Sequence, residues 1–348
     1  MMRAAVLEEI GRLKLKQVPV PEPGPGEVLV RIEANTICGT DLRIISGAKT
    51  AGVRPGVILG HEFAGRVAAV GRGVDGVPVG AQVTCSIVVS CQRCRACLSG
   101  REQLCENLVL FGYELDGGLA EYLLVPRIAM DHGNLVVLEK EIPATTLALA
   151  EPVSCCLNGA GQVAVAPGES VVVLGTGPIG LLHIALAKLA GATTILAAGR
   201  EGRLTAATDF GATCAVALTG EALTDEVRER TNGKGADVVI VAVGDLALAN
   251  QALELAAIGG RVNYFAGFPK GKTASIDPNL IHYRELAVTG GSNARRADVR
   301  RAVELLSSGA LDVGRLVTHR FSLAELDAAV TAVARRDGLK VAVMPAAG

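Results

Sequence analysis

The apolar residues of this chain fall into two rhythms. From Met1 to about Val137 they alternate with polar residues in short runs cut by Gly and Pro, as at Val28–Ile32, Ala64–Val70, Gln82–Ser86 and Ala120–Val125. A period of two predicts half-buried antiparallel strands joined by loops. From about Glu169 the runs become wholly apolar. Strand Val171–Leu174 leads through a glycine turn into helix Ile179–Ala190, then strand Thr194–Ala198 and helix Leu204–Phe210, with further strands at Asp237–Ala242, Arg261–Ala266 and Leu286–Thr289. Apolar strands alternating with helices predict a parallel, doubly wound sheet covered on both faces. Beyond Gly291 a helix (Asp298–Ser308), an amphipathic segment (Leu323–Arg335) and a strand (Lys340–Met344) remain, and we assign them to the first domain. The expected class is α/β. Residues 1–152 and 292–348 form a discontinuous antiparallel β domain, and residues 153–291 the doubly wound one.

Composition narrows the setting. A chain of 348 residues exceeds one ordinary core. Half of its residues are hydrophobic, a fifth are charged, and the net charge is −1, which leaves no electrostatic footprint for nucleic acid or an anionic membrane. Glu8 and Glu9 stand where an export signal would carry its apolar stretch. The uncharged run Ser170–Ala187 approaches membrane-spanning length, but Gly175, Gly177, Pro178 and Gly180 break it into strand and helix. A small-molecule partner and a cytoplasmic location are expected, and nine cysteines suit a reducing compartment.

Four of those cysteines change the picture. Cys91, Cys94, Cys97 and Cys105 lie within the lobe 90–108, which has too few large apolar residues to fold unaided. The C-x2-C-x2-C-x7-C spacing suits a closed tetrahedral zinc site. An iron–sulfur cluster is the rival, though the gap of seven and Glu106 after the last cysteine depart from the ferredoxin run. A disulfide lobe is the remaining alternative.

A second motif is Gly175, Gly177 and Gly180, G-x-G-x-x-G between a strand and a helix. Gly175 makes the turn, Gly177 admits pyrophosphate to the backbone, and Gly180 lets helix and strand pack. Pro178 and Ile179 open the helix whose N-terminus faces the phosphates. About 20 residues on, an NAD site would place an acid for the ribose. Gly199 and Arg200 stand there instead, so NADP is expected as the preferred cofactor and NAD as the second, unless Glu201 takes the ribose.

A sparser set of metal-competent residues comprises Cys38, Thr40 and Asp41 in CGTD, His61 and Glu62 in GHE, and Glu151 before Pro152. One thiol, one imidazole and a carboxylate suit a catalytic zinc with an open position. In this combination the chain resembles the zinc-dependent medium-chain alcohol dehydrogenases, and more closely their polyol (sorbitol) dehydrogenase-like branch. The resemblance spans CGTD, GHEFAGRVAAVG, the cysteine lobe, DGGLAEY, EPVSCCLNG and GTGPIG, in the family's order. It implies a GroES-like catalytic domain, a Rossmann domain and an active site between them. Two zinc ions per subunit are implied, one structural and one catalytic. Cys38 and His61 are implied ligands of the catalytic ion, with Glu62 or Glu151 as the carboxylate. Asp41 is expected to buttress the histidine and Thr40 to take the substrate's hydroxyl proton. A homodimer or homotetramer is implied, through the sheet edge near Leu286–Thr289.

The expected reaction interconverts a secondary alcohol (a polyol, cyclitol or sugar-like compound) and its ketone by hydride transfer with NAD(P). Arg43 departs from the family, because many relatives carry there a histidine that ends the proton relay, and arginine is no base. Arg43 is either a binder of a hydroxyl-rich or anionic substrate or a plain surface charge. Phe111, Tyr113 and Glu114 are candidate pocket residues. The alternatives are a biosynthetic ketone reductase and a threonine-like amino-alcohol dehydrogenase, with Arg43 counting somewhat against the latter. A catalytically silent nucleotide-binding relative would typically lack the zinc ligands that this chain keeps.

Overall fold

The chain begins with an antiparallel hairpin of β1 (Met2–Glu9) and β2 (Arg12–Val18). β1 is largely buried, whereas β2, rich in lysine, turns mostly to solvent. The computed structural model describes residues 1–345.

The frame of the first unit is an antiparallel set of β3 (Val28–Ile37), β4 (Glu62–Val70) and β5 (Gln82–Cys85). Its small partners are β6 (Val88–Val89) with β7 (Val109–Leu110), β8 (Tyr122–Val125) on β3, and β9 (Leu135–Val137) on β5. Their inward residues, among them Val30, Ile32, Phe63, Val67, Val83, Phe111 and Leu123, form one continuous core. The short β6–β7 ladder closes the base of the cysteine lobe, so two paired residues on each side hold a segment with little core of its own.

The second unit, Cys155–Ser292, is a six-stranded sheet. Its strands are β10 (Ser170–Leu174), β11 (Thr194–Ala198), β12 (Cys214–Val216), β13 (Ala236–Val241), β14 (Ala256–Tyr264) and β15 (Ala287–Gly290). All pairings are parallel and the order is β12-β11-β10-β13-β14-β15. This is the dinucleotide-binding order, with its switch point between β10 and β13. Val172, Leu174, Val239 and Val241 of the central strands pack one face of the sheet.

The chain then returns to the first unit with β16 (Val317–Ser322), helix Leu326–Arg335 and β17 (Lys340–Met344). β17 pairs antiparallel with β3 and parallel with β16. The first sheet is therefore antiparallel except at this pair, where the helix between the two strands supplies the crossover that parallel pairing requires.

Sequence patterning did not single out Gly220–Arg230 or Ala247–Leu255, which are helical. The first buries only Leu223 and Val227 on an otherwise charged helix, too thin an apolar stripe to show a period.

Candidate active site

Cys38 follows the last residue of β3 and caps the helix Gly39–Ile45. Its Sγ accepts the Thr40 backbone N–H at 3.2 Å, and its own N–H donates to Asp41 Oδ2 at 2.9 Å. The other carboxylate oxygen, Asp41 Oδ1, lies 3.2 Å from His61 Nδ1. One buried aspartate thus holds both the backbone of Cys38 and the ring of His61, turning His61 Nε2 to within 3.1 Å of Cys38 Sγ. Such a carboxylate behind a histidine fixes which ring nitrogen faces a metal. The Tyr113 ring packs against the His61 ring, tilted, with centroids 5.5 Å apart.

Glu62 completes a group in which thiol, imidazole and carboxylate donor atoms all lie within 4.8 Å. It follows His61 as the first residue of β4 and faces Thr36 across the β3–β4 ladder. Both of its oxygens have partners: the Thr36 hydroxyl donates to Oε2, and Lys340 Nζ lies 2.7 Å from the carboxylate. Lys340 is buried and begins β17. Neither Thr36 nor Lys340 belongs to any motif, and only the pairing of β3 with β4 and β17 brings them to Glu62. Glu151 lies in the first turn of the helix Ala150–Val163 and is not among the three donors within 4.8 Å. Its charge is felt at Lys340 and Tyr113.

Electrostatics at this centre favours a cation. Burial opposes charge on His61, yet the charge interactions with Cys38 and Asp41 outweigh it and raise His61 well above the ordinary imidazole value. Asp41 is likewise disfavoured by burial but held below the usual carboxylate range by His61 and by the Cys38 N–H. A soft sulfur, a borderline nitrogen and a carboxylate whose donor atoms lie within 4.8 Å of one another suit a borderline divalent ion such as zinc.

The lobe cysteines also converge. Cys91, Cys94, Cys97 and Cys105 present sulfurs within 4.8 Å of one another, with Cys94 and Cys97 Sγ 3.5 Å apart. Tetrahedral Zn–S bonds of about 2.3 Å place sulfurs about 3.8 Å apart. None of the four is in a disulfide. Backbone N–H groups of Arg93 and Cys94 draw the Cys91 thiol down to about 6, and those of Cys97 and Glu106 lower Cys94. Burial pushes Cys105 up to about 12, although the N–H groups of Cys91 and Asn107 point at its sulfur.

In the second unit the turn after β10 is shaped for a dinucleotide. A Cβ on Gly180 would sit 1.8 Å from the Gly175 carbonyl oxygen, so only glycine lets helix Pro178–Leu189 pack there. A Cβ on Gly177 would meet no protein atom within 4 Å, which leaves open space over that backbone. Gly177 caps the helix without a side-chain hydrogen bond, so the N–H groups of Ile179 and its neighbours lack a capping side chain. Gly199 and Arg200 follow β11, whose last residue pairs with the last of β10. A Cβ on Gly199 would clash with Thr176 Oγ1 at 2.0 Å. Arg200 makes no ion pair among the described residues, and no acid occupies position 199 or 200.

A parallel sheet in this order with a glycine turn at the end of its first strand, in a chain that also gathers two sets of metal donors, defines the class: a dinucleotide-dependent, metal-assisted oxidoreductase. Family comparison agrees. Residues 24–132 match the alcohol dehydrogenase GroES-like domain and residues 178–308 the zinc-binding dehydrogenase family. L-threonine 3-dehydrogenase of Pyrococcus furiosus is 37% identical over 314 residues, 88% of each chain. Among solved structures, a protein of Sinorhizobium meliloti bound to NADP superposes with a TM-score of 0.91 at 36% identity, covering 99% of both chains. The 2R,3R-butanediol dehydrogenase of Bacillus subtilis does so with 0.89 at 28% identity, covering 99% of this chain and 100% of its own. The chain belongs to the zinc-dependent medium-chain alcohol dehydrogenase family, as an NAD(P)-dependent enzyme. The narrower polyol branch expected from the sequence finds no such support, since the curated relative carries a threonine dehydrogenase name.

Proposed function

We propose that the enzyme oxidises the secondary hydroxyl of a 3-hydroxy acid of the threonine type, with NADP as its preferred nicotinamide cofactor. The substrate reading is supported by the name of the Pyrococcus furiosus relative, and the cofactor reading by Arg200 together with the NADP-bound Sinorhizobium meliloti neighbour. The observation that carries the chemistry is Cys38 Sγ and His61 Nε2 at 3.1 Å, locked from behind by Asp41. Cys38 and His61 hold the catalytic zinc in this reading, with the carboxylate donor from Glu62 or Glu151. When bound, zinc acidifies a substrate hydroxyl and polarises a carbonyl.

The remaining roles fall to the chain. Thr40, the second residue of the helix capped by Cys38, takes the hydroxyl proton in this reading. Arg43 accepts none, so the proton leaves through water or the cofactor ribose. Asp41 keeps the neutral His61 donor facing the metal, and Lys340 keeps the Glu62 charge balanced in its buried position. Gly175, Gly177, Pro178, Ile179 and Gly180 bind the pyrophosphate, and Arg200 beside Gly199 pairs with a 2′-phosphate. The discontinuous first unit is the catalytic domain and the other the dinucleotide domain. The free edge of β15 offers pairing for a homo-oligomer. The cysteines, none in a disulfide, suit a cytoplasmic setting.

The test is kcat/KM for L-threonine, 2,3-butanediol and sorbitol, each with NADP and with NAD, in wild type and Cys38→Ser. Expected are threonine above both neutral substrates, NADP above NAD, and no turnover in the variant. Sorbitol turned over best would overturn the substrate, and equal use of the cofactors would overturn the role of Arg200. Activity surviving Cys38→Ser would remove the metal site.

A further inference from the structure

We propose that Lys49, seconded by Arg43, reads an anionic group on the substrate, so that the enzyme selects hydroxy compounds carrying a carboxylate or a phosphate. The inference rests on the dehydrogenase reading above and adds what the site recognises besides a hydroxyl.

The placement follows from the helix that Cys38 caps. Arg43 lies in its last turn, and the chain then folds back, so that the Lys49 N–H donates to the Arg43 carbonyl at 2.9 Å. This return brings two cationic side chains into one neighbourhood. The Lys49 Nζ stands 4.8 Å over the Tyr113 ring, whose ring in turn packs 5.5 Å from His61. Lys49, Tyr113 and His61 are thus strung in a row leading to the metal donors, and Cys38 is within electrostatic reach of Lys49.

What the ammonium lacks is a counter-charge. It is half-buried, so it has given up part of its hydration, and no carboxylate lies within ion-pair distance among the described residues. Its neighbour Arg43 adds like charge, and burial first, then Arg43, lowers its pKa. Glu114 is the acid in reach, but one of its oxygens already accepts the Leu110 N–H at 3.0 Å, and a single carboxylate leaves the pair of cations in excess. The face of Tyr113 compensates in part and fixes where the head lies. A partly desolvated cation held in place beside another is prepared for an incoming anion, which supplies the missing charge and hydrogen-bond acceptors. An ammonium serving only to cover the surface would lie along apolar atoms with its head in open water.

The experiment compares 3-hydroxybutyrate with 1,3-butanediol, which differ in one carboxylate, in wild type, Lys49→Gln, Lys49→Arg and Arg43→Gln. Lys49→Gln is expected to lower the acid-to-diol ratio of kcat/KM by about ten- to hundredfold, mainly through KM. Lys49→Arg should restore most of the ratio, and Arg43→Gln should lower it less. A ratio unchanged in Lys49→Gln overturns the proposal.

Calorimetric titration with malonate and with inorganic phosphate gives a second reading that needs no turnover. Binding in wild type that is lost in Lys49→Gln supports the patch, and the tighter of the two anions identifies the source of the charge. Equal affinity in wild type and variant, or no binding to either, overturns it. If wild type oxidises neither substrate yet binds malonate through Lys49, the dehydrogenase reading fails and the anion site stands.

Discussion

Lys340 and Glu62 show how much the candidate centre owes to residues outside its motifs. Both are buried and paired at 2.7 Å: burial opposes charge on Lys340, and Glu62 first, then Cys38 and Glu151, outweigh it and raise the lysine. Removing one partner strands the other, so Lys340→Met should cost about 3 kcal/mol or more of stability. Adding Glu62→Gln to that variant should recover much of the loss, and chemical denaturation of the two single variants and the double one measures the coupling. Additive losses would deny the pair. His183 makes a second case. It is buried edge-on against Phe265, 4.6 Å between ring centroids, with neither ring nitrogen hydrogen-bonded. Burial lowers its pKa from 6.5 to about 3. Between those values the unfolded chain takes up a proton that the folded chain refuses, so stability is full above the unfolded value and declines as pH falls through the window. The slope approaches about 1.4 kcal/mol per pH unit from this group. His183→Leu should flatten the fall of melting temperature between pH 6 and 4, followed by far-ultraviolet circular dichroism; a decline as steep as in wild type would assign the acid sensitivity elsewhere. The GHE motif marked Glu62 as a candidate metal carboxylate, but nothing in the sequence foretold its Lys340 partner or the buried His183, because burial and partnership are set by strands and helices far apart in the chain.

At the scale of elements, the cysteine lobe was the most legible, since its spacing pointed to a tetrahedral cage over a ferredoxin-like cluster or disulfides, and the four sulfurs do converge. What spacing could not tell is how the lobe is anchored. The β6–β7 ladder closes its base, and Glu102 accepts the Arg296 backbone N–H at 2.9 Å while lying 3.3 Å from its Nε. Acid should empty this site. Backbone N–H groups lower the thiols of Cys91 and Cys94, that of Cys91 to about 6, so below about pH 6 protons compete with the metal at Cys91. Zinc release, followed with a chromogenic chelator, should therefore rise as pH falls below about 6, and Cys97→Ser should release one zinc per chain already at neutral pH. Retention of that zinc in the variant would show that the lobe sulfurs do not form one cage. The glycine turn was equally readable, because each glycine is demanded by a close approach or an open space that a Cβ would spoil. The helix Ala150–Val163 was not, for it carries Pro152 near its start and Gly159 and Gly161 within.

For the whole molecule, the alternation of apolar strands and helices was enough to indicate the parallel sheet, and the short alternating strands the other. The discontinuous assignment rested on three segments after Gly291, and β17 is the one with the widest reach. It lies between β16 and β3, so it is interior to its sheet although it follows β3 at long range in the sequence. A chain ending at Asp337 loses β17, the pairing of β16 and the Lys340 contact with Glu62 together. We expect it to be recovered only from inclusion bodies, while a chain ending at Pro345 stays soluble; a soluble, folded product of the shorter gene would show that the sheet closes without β17.

That interior position also sets a timetable for biosynthesis. β3 is made long before β17, so it must wait through all of the intervening chain for the neighbour that covers one stretch of it. During that interval the nascent polypeptide exposes an apolar strand edge of the kind chaperones hold, so the first unit closes only once β17 has emerged, whatever the middle of the chain has already achieved.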